Sequence, residues 1–265
     1  MLRSVVATRY VAPLREGGSL PALVEADDDG MYVVKLRGAG QGIRALIAEA
    51  VVGEIGRAAG LPIPELVVVD VDPALALGEP DSEIQELLER SAGTNLGMDY
   101  LSGAVAIGAP GLAGISPDLA ADVVWFDALV MNIDRTPRNP NLLRRNGNLT
   151  LIDHGAALYQ HHRWIGSQKE LGHATKPFAG IEQHIFLPIA GSITEADARI
   201  APQVTPEVIA AAVDAVPDEW LEQVPIHLSV EEHRAHYRAW FRLRMEAPRA
   251  WVAAAEEMRQ AVHRG

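Results

Sequence analysis

Residues 126–158 read FDALVMNIDRTPRNPNLLRRNGNLTLIDHGAAL. Two acidic centres lie in this stretch, Asp134 and Asp153, 19 residues apart. The first is Asn132-Ile133-Asp134-Arg135, with Asn139 five positions after Asp134. The second is Leu151-Ile152-Asp153-His154-Gly155. Between them Asn146-Gly147 separates two short apolar runs, 141–143 and 149–152, which is a strong signal for a tight hairpin. Taken singly, Asp134 and Asn139 are ordinary turn residues of a Pro-rich loop. The hairpin and the Asp-His-Gly that follow at this spacing give them a shared purpose.

The order Asp, Asn, hairpin, Asp-x-Gly is the one used by phosphotransferases of the protein-kinase type. Phosphoryl transfer depends on positioned cations more than on covalent chemistry. Magnesium is a hard ion that takes carboxylate and amide oxygens. Asn139 and Asp153 supply one of each, which leaves Asp134 free as a base toward an acceptor hydroxyl.

Candidates for a phosphate-binding wall lie upstream. Gly17-Gly18-Ser19 can form a plain turn or a loop whose backbone N–H groups approach a nucleotide. Strands are expected over 1–12, 22–25 and 31–36, with an acidic turn at Asp27-Asp28-Asp29-Gly30. Lys35 ends the run Tyr32-Val33-Val34-Lys35, as Lys does on the third strand of a kinase. The common alternative is a solvent-facing lysine on an alternating strand. A helix follows over 43–59, stopped by Gly60, Pro62 and Pro64, with Glu49 and Glu54 as its acidic candidates. A strand over 65–71, a polar helix over 81–90 and a last strand over 94–101 complete this half. The Gly- and Pro-rich run 102–117 reads as linker and loop.

Downstream, 117–131 reads as a helix that delivers the chain to Asp134. His161 and His162 are adjacent, so on a helix they diverge and do not share an ion. They are expected at the surface or on the substrate side. Short helices are expected at 182–187, 195–201, 206–215 and 218–222, then longer ones over 230–245 and to about 263. Tyr237, Trp240, Phe241 and Leu243 would pack inward.

Composition narrows the class. The chain has 265 residues, 48% hydrophobic, enough for one large domain or two lobes. Its net charge of −12 disfavours nucleic acid as a main partner. With no cysteine there is neither a disulfide framework nor a thiolate metal site, and no targeting signal or membrane span is visible, which points to a cytoplasmic protein.

Together, Gly-Gly-Ser-Leu-Pro, Tyr-Val-Val-Lys, Ala-Glu-Ala, Gly-Leu-Pro-Ile-Pro, Asn-Ile-Asp-Arg-x3-Asn and Leu-Ile-Asp-His-Gly resemble the HipA-like kinases over about residues 5–160. The resemblance implies an α+β, bilobal protein-kinase-like fold, with a β-rich N-lobe over 1–101 and a mainly helical C-lobe over 102–265. It implies ATP and Mg2+ as cofactors, Asp134 as catalytic base, and Asn139 and Asp153 as metal ligands. Lys35 would contact the ATP phosphates, Glu49 would be its partner, and Gly17, Gly18 and Ser19 would form the phosphate loop. Three departures stand out: Thr136-Pro137 where the family often has His, His154 in place of the Phe of Asp-Phe-Gly, and a second amide, Asn141, that can compete with Asn139. The expected activity is a Ser/Thr protein kinase. A small-molecule or lipid kinase on the same fold and a non-catalytic nucleotide-binding module are the alternatives, with a metallohydrolase built on Asp134, Asp153, His154 and His161 further behind.

Overall fold

The computed structural model describes residues 2–14, 20–40 and 42–264. Its first half runs β1 (Arg3–Pro13), β2 (Ala22–Ala26), β3 (Met31–Lys35), α1 (Gly42–Ala58), β4 (Leu66–Val71), α2 (Ser82–Arg90) and β5 (Gly93–Asp99). The strands close into a barrel in the order β1-β2-β3-β5-β4. Four of the pairings are antiparallel, and the barrel is closed by a parallel one, with Arg3 opposite Val67 and Val5 opposite Val69. Alternation sends Val5, Val24, Tyr32, Val34, Val67 and Val69 into the interior. At Gly97 a Cβ would stand 2.5 Å from Val69 Cγ2, so this wall admits no side chain. The Asp81 carboxylate caps α2 by accepting the Glu83 N–H at 3.0 Å, and the helix lays Ile84, Leu87 and Leu88 over the barrel.

The helix α1 is apolar on nearly all sides and is correspondingly buried. It ends as its sequence requires. Gly60 takes φ +82°, Leu61 N–H returns to the Gly56 carbonyl at 2.9 Å and Gly60 N–H to Arg57 at 3.0 Å, which satisfies the last carbonyls. Its apolar side chains belong to a different core from the barrel's. Leu46, Ile47, Val51 and Ile55 join Trp125 and Phe126 of the helix over Pro117–Leu129. A Cβ at Gly56 would lie 2.9 Å from the Phe126 ring, so the two helices touch almost backbone to side chain.

The second half begins with β6 (Val105–Ala106) and α3 (Pro117–Leu129), started by Ser116, whose hydroxyl accepts the Leu119 N–H at 3.2 Å. The expected hairpin follows as β7 (Leu142–Arg145) and β8 (Asn148–Leu151), turning at Asn146 and Gly147, both at positive φ. The run 102–117 is not only loop, because β6 adds a third strand to this sheet. Helices α4 (Ile193–Ile200), α5 (Pro206–Asp214), α6 (Asp218–Glu222), α7 (Val230–Met245) and α8 (Ala250–Arg264) complete the chain. Helices α5 and α6 pack on α1.

Two expectations are corrected here. Instead of a helix over 182–187 there are 3-10 turns at Ala179–Gln183 and Leu187–Ile189, with His184 extended between them. Tyr237, Trp240 and Phe241 are buried as expected, but Leu243 is only half-buried. Among the described residues no helix is long and apolar enough to cross a membrane.

Candidate active site

Lys35, at the end of β3, and Glu49, near the middle of α1, come from opposite sides of a deep cavity. The Lys35 ammonium lies 2.5 Å from Glu49 Oε2 and 2.6 Å from Asp153 Oδ1. Burial works against the charged ammonium, but the two carboxylates outweigh it and push its pKa up to about 12. Burial likewise opposes the Glu49 carboxylate. Lys35, with His154 beside it, prevails and holds that carboxyl below its usual range. Of the two acidic candidates on α1, Glu49 is the one that meets Lys35, and Glu54 pairs with Arg57 on the same helix.

The cavity above this ion triad has a volume of about 460 Å³. Its walls are apolar, with Val33, Leu66 and Met98 from the barrel, and Leu143 and Ile152 from the β7–β8 side. Tyr100, Leu101 and Ala104 line it where the chain passes between the halves. Gly17, Gly18 and Ser19, expected as the phosphate loop, lie outside the described residues.

Asp153 sits just past β8 at φ +56°, a left-handed conformation seldom adopted by non-glycine residues and held here by surrounding bonds. The Ile152 N–H bonds the Asn141 carbonyl at 3.0 Å, and the Leu151 N–H bonds Pro62 at 2.8 Å. His154 then turns inward, fully buried, with Nδ1 3.5 Å from Glu49 Oε1. Where Asp-Phe-Gly kinases have an aromatic ring, this chain places an imidazole beneath Glu49.

Asp134 is half-buried. The Asn139 side-chain amide donates to its Oδ2 at 2.7 Å, and that of Asn141 does so at 3.3 Å. Asn141 also reaches the Asp153 carbonyl at 3.5 Å, so it bridges the two acidic centres, whereas Asn139 is exposed and faces Asp134. Carboxylates and side-chain amides are the donor types a hard divalent ion prefers, and here both amides turn their nitrogens to Asp134 while Asp153 Oδ1 meets Lys35. Among the described residues no three His, Cys, Asp or Glu side chains converge as a metal cluster. His154 and His161 face different partners, Glu49 and Tyr237, which removes the geometry a metallohydrolase would need.

Sequence reasoning passed over the residue that organises this loop. Asp127, in the last turns of α3, is completely buried. Its Oδ1 accepts the Asn132 amide at 3.0 Å, and Oδ2 accepts Arg135 Nε at 2.6 Å and His184 Nε2 at 2.9 Å. Each partner carries the restraint onward. Asn132 Oδ1 takes the Asp134 N–H at 3.1 Å, and Arg135 Nη1 donates to the Asn141 carbonyl at 2.7 Å. The His184 Nδ1 accepts the Phe186 N–H at 3.1 Å, so the neutral tautomer protonated at Nε2 satisfies both of its contacts. Burial opposes charge on Asp127, yet Arg135 and His184 hold its carboxyl well below the usual range. A polar residue within an apolar helix, one turn before Asn-x-Asp-Arg, was the available signal.

Arg244 of α7 plays a companion role. It is buried without a carboxylate and donates to the carbonyls of Ala128 and Leu129 at 2.6 and 3.0 Å, and to those of Ala174 and Lys176 at 2.8 and 2.6 Å. A cation at these carbonyls complements the negative end of α3, from which the chain enters the Asp134 loop. Desolvation lowers its pKa to about 9.

His161 is not at the surface as expected. It is buried, with Nδ1 2.9 Å from the Tyr237 hydroxyl, while Arg44 of α1 donates to the His161 carbonyl and, at 3.1 Å, to that of Trp164. His162 alone remains exposed. Burial depresses the pKa of His161 and of His184 below 6.5. The unfolded chain therefore binds more protons than the folded one below that pH, and stability falls as pH drops through it. We expect urea midpoints that are level from pH 8 to about 6.5 and decline below. A midpoint unchanged down to pH 5 would contradict this burial.

The family model described as HipA-like kinase matches residues 8–254. Among solved structures, a proinflammatory kinase of Helicobacter pylori, CtkA, superposes with a TM-score of 0.60 at 12% identity over 99% of each chain. A Golgi casein kinase solved with Mn and ADP bound aligns with a TM-score of 0.46 at 12% identity, over 99% of this chain and 74% of that one. No curated protein matches the sequence. At such low identity the likeness to CtkA speaks for the fold alone, and that fold is kinase-like, α+β.

Proposed function

The chain belongs to the HipA-like kinase family, and we propose that it is an ATP- and magnesium-dependent phosphotransferase acting on a Ser or Thr hydroxyl of a protein. One observation carries this reading. A single half-buried ammonium, Lys35, bridges Glu49 and Asp153 at the floor of an apolar cavity large enough for a nucleoside. Val33, Leu66, Met98 and Ile152 would hold the adenine, and Lys35 would meet the phosphates. In this division of labour residues 1–101 form the nucleotide lobe and residues 102–265 the catalytic lobe.

Asp153 and an amide oxygen would hold the magnesium, which would supply the positive charge that offsets the transferring phosphoryl group. Spacing favours Asn139 as that amide. The bridge from Asp134 to the Asp153 carbonyl favours Asn141, which we add to the ligand set. Asp134 accepts the proton of the acceptor hydroxyl. The Asn139 and Asn141 amides that bond its Oδ2 orient the carboxylate, and Asn132 fixes its backbone.

The test is a thermal-shift series with ATP, with magnesium and with both, alongside phosphate labelling of the protein itself and of a bacterial lysate. We expect a shift of several degrees that needs both components, and labelled protein. Asp153→Asn loses the magnesium-dependent part of the shift, and comparison of Asn139→Ala with Asn141→Ala identifies the amide ligand. No shift and no labelling would defeat the kinase reading. A shift from ATP alone, with no turnover and no change in Asp134→Asn, would favour a nucleotide-binding module instead.

A further inference from the structure

A second cleft, of about 310 Å³, opens beside the Asp134 loop and shares no lining residue with the nucleotide cavity. One wall is Thr136-Pro137-Arg138, the segment in which this chain departs from the family's usual His. That wall follows Asp134 directly in the chain, and the Thr136 N–H donates to the Asp134 backbone carbonyl at 2.9 Å. The opposite wall is Leu187, Pro188 and Val262, the last of these from the final turns of α8. His184, pinned by Asp127, lines the cleft as well, so the same buried carboxylate holds the base loop and this wall in register.

We infer that this cleft is the acceptor-side pocket, and that it selects a polypeptide with an apolar side chain at a fixed offset from the phosphorylated hydroxyl. The inference rests on the kinase reading above. Separation from the nucleotide cavity argues for an acceptor with length, since a compact metabolite placed at Asp134 would leave this pocket unused. The chemistry of the lining argues for the apolar side chain. Pro137, Pro188 and Val262 supply apolar surface over the buried Leu187, and the rim carries one cation, Arg138, and one anion, Glu182. Those rim charges cancel, and the chain's net charge of −12 gives no attraction to a phosphorylated or strongly acidic acceptor.

The experiment uses the full chain with radiolabelled ATP and a positional-scanning library of Ser/Thr peptides. Wild type is expected to favour apolar residues at one fixed offset from the hydroxyl. Val262 is 41% exposed on a terminal helix, so its replacement leaves the fold intact. Val262→Trp, which fills the cleft, should cut kcat/KM for the preferred peptides roughly tenfold or more, the scale on which apolar pockets discriminate. Val262→Glu should move the preference at that same offset from apolar residues to Lys and Arg, a change that mere loss of structure could not produce. The ATP–magnesium thermal shift is read on the same samples. If wild type shows the shift but labels no peptide, or labels peptides with no apolar preference, or if both variants keep the wild-type preference, the cleft assignment is wrong while the kinase reading stands. Wild type with no shift removes both.

Discussion

Asp134→Asn lowers phosphotransfer by about 10²–10⁴-fold, the range a positioned general base contributes, and leaves nucleotide affinity near wild type. The change is isosteric. Asn132 still bonds the backbone N–H of residue 134, and the amides of Asn139 and Asn141 can still meet the retained side-chain oxygen. Lys35, Glu49 and Asp153 are untouched, so the ATP–magnesium thermal shift should persist. The informative measurement is single-turnover transfer beside nucleotide titration. A variant that transfers at the wild-type rate would exclude Asp134 as the base. A variant that also lost the nucleotide would mean that Asp134 belongs to the binding site and not to proton transfer.

The second large effect is on stability. Asp127→Asn removes the charge that compensates Arg135, and both side chains are fully buried. Leaving one member of such a pair alone in the interior costs about 3–5 kcal/mol. We expect a urea midpoint lowered to match, and phosphotransfer reduced even at temperatures where the variant stays folded, because Asn132, Arg135 and His184 all lose a charged acceptor. Asp122, on the same helix but half-buried and partnered by the exposed Arg199, is the control. Asp122→Asn should shift the midpoint by roughly 1 kcal/mol or less. Equal effects from the two would show that the Asp127 network is not a keystone.

These two residues mark how far the sequence could be read. Asp134 is conspicuous because its chemistry is local. Asn139 follows at a fixed step, and the hairpin that brings back Asp153 announces itself through Asn146-Gly147. Lys35 and Glu49 were legible for a similar reason, each near the end or middle of a short regular element. Asp127 was not, because its meaning lies in His184, 57 positions away, and a lone carboxylate in a helix reads as a solvated face. The same limit hid the burial of His161. In Gln160-His161-His162-Arg163 every side chain is polar, and what takes one of them inside is Tyr237 on α7. The closure of the barrel was equally out of reach, since pairing β1 with β4 joins strands more than 60 residues apart and leaves no local trace. The segment 159–189 defeated periodicity altogether. Its 3-10 turns are too short to show a repeat, and what fixes them includes contacts such as those Arg244 makes to the Ala174 and Lys176 carbonyls.

The separate core to which α1 belongs has a consequence for the order in which the protein matures on the ribosome. All five barrel strands lie within residues 3–99, so the barrel can close as soon as those residues have emerged. At that moment α1 is already synthesised, but α3, α5 and α6, which cover it, are not. One face of α1 can rest on Leu66, Val68 and Leu96 of the barrel at once, while the face turned away from β4 and β5 must wait for residues 117–129 and 206–222. The helix that carries Glu49 is thus made early and fully seated late, after the last of its covering helices has emerged.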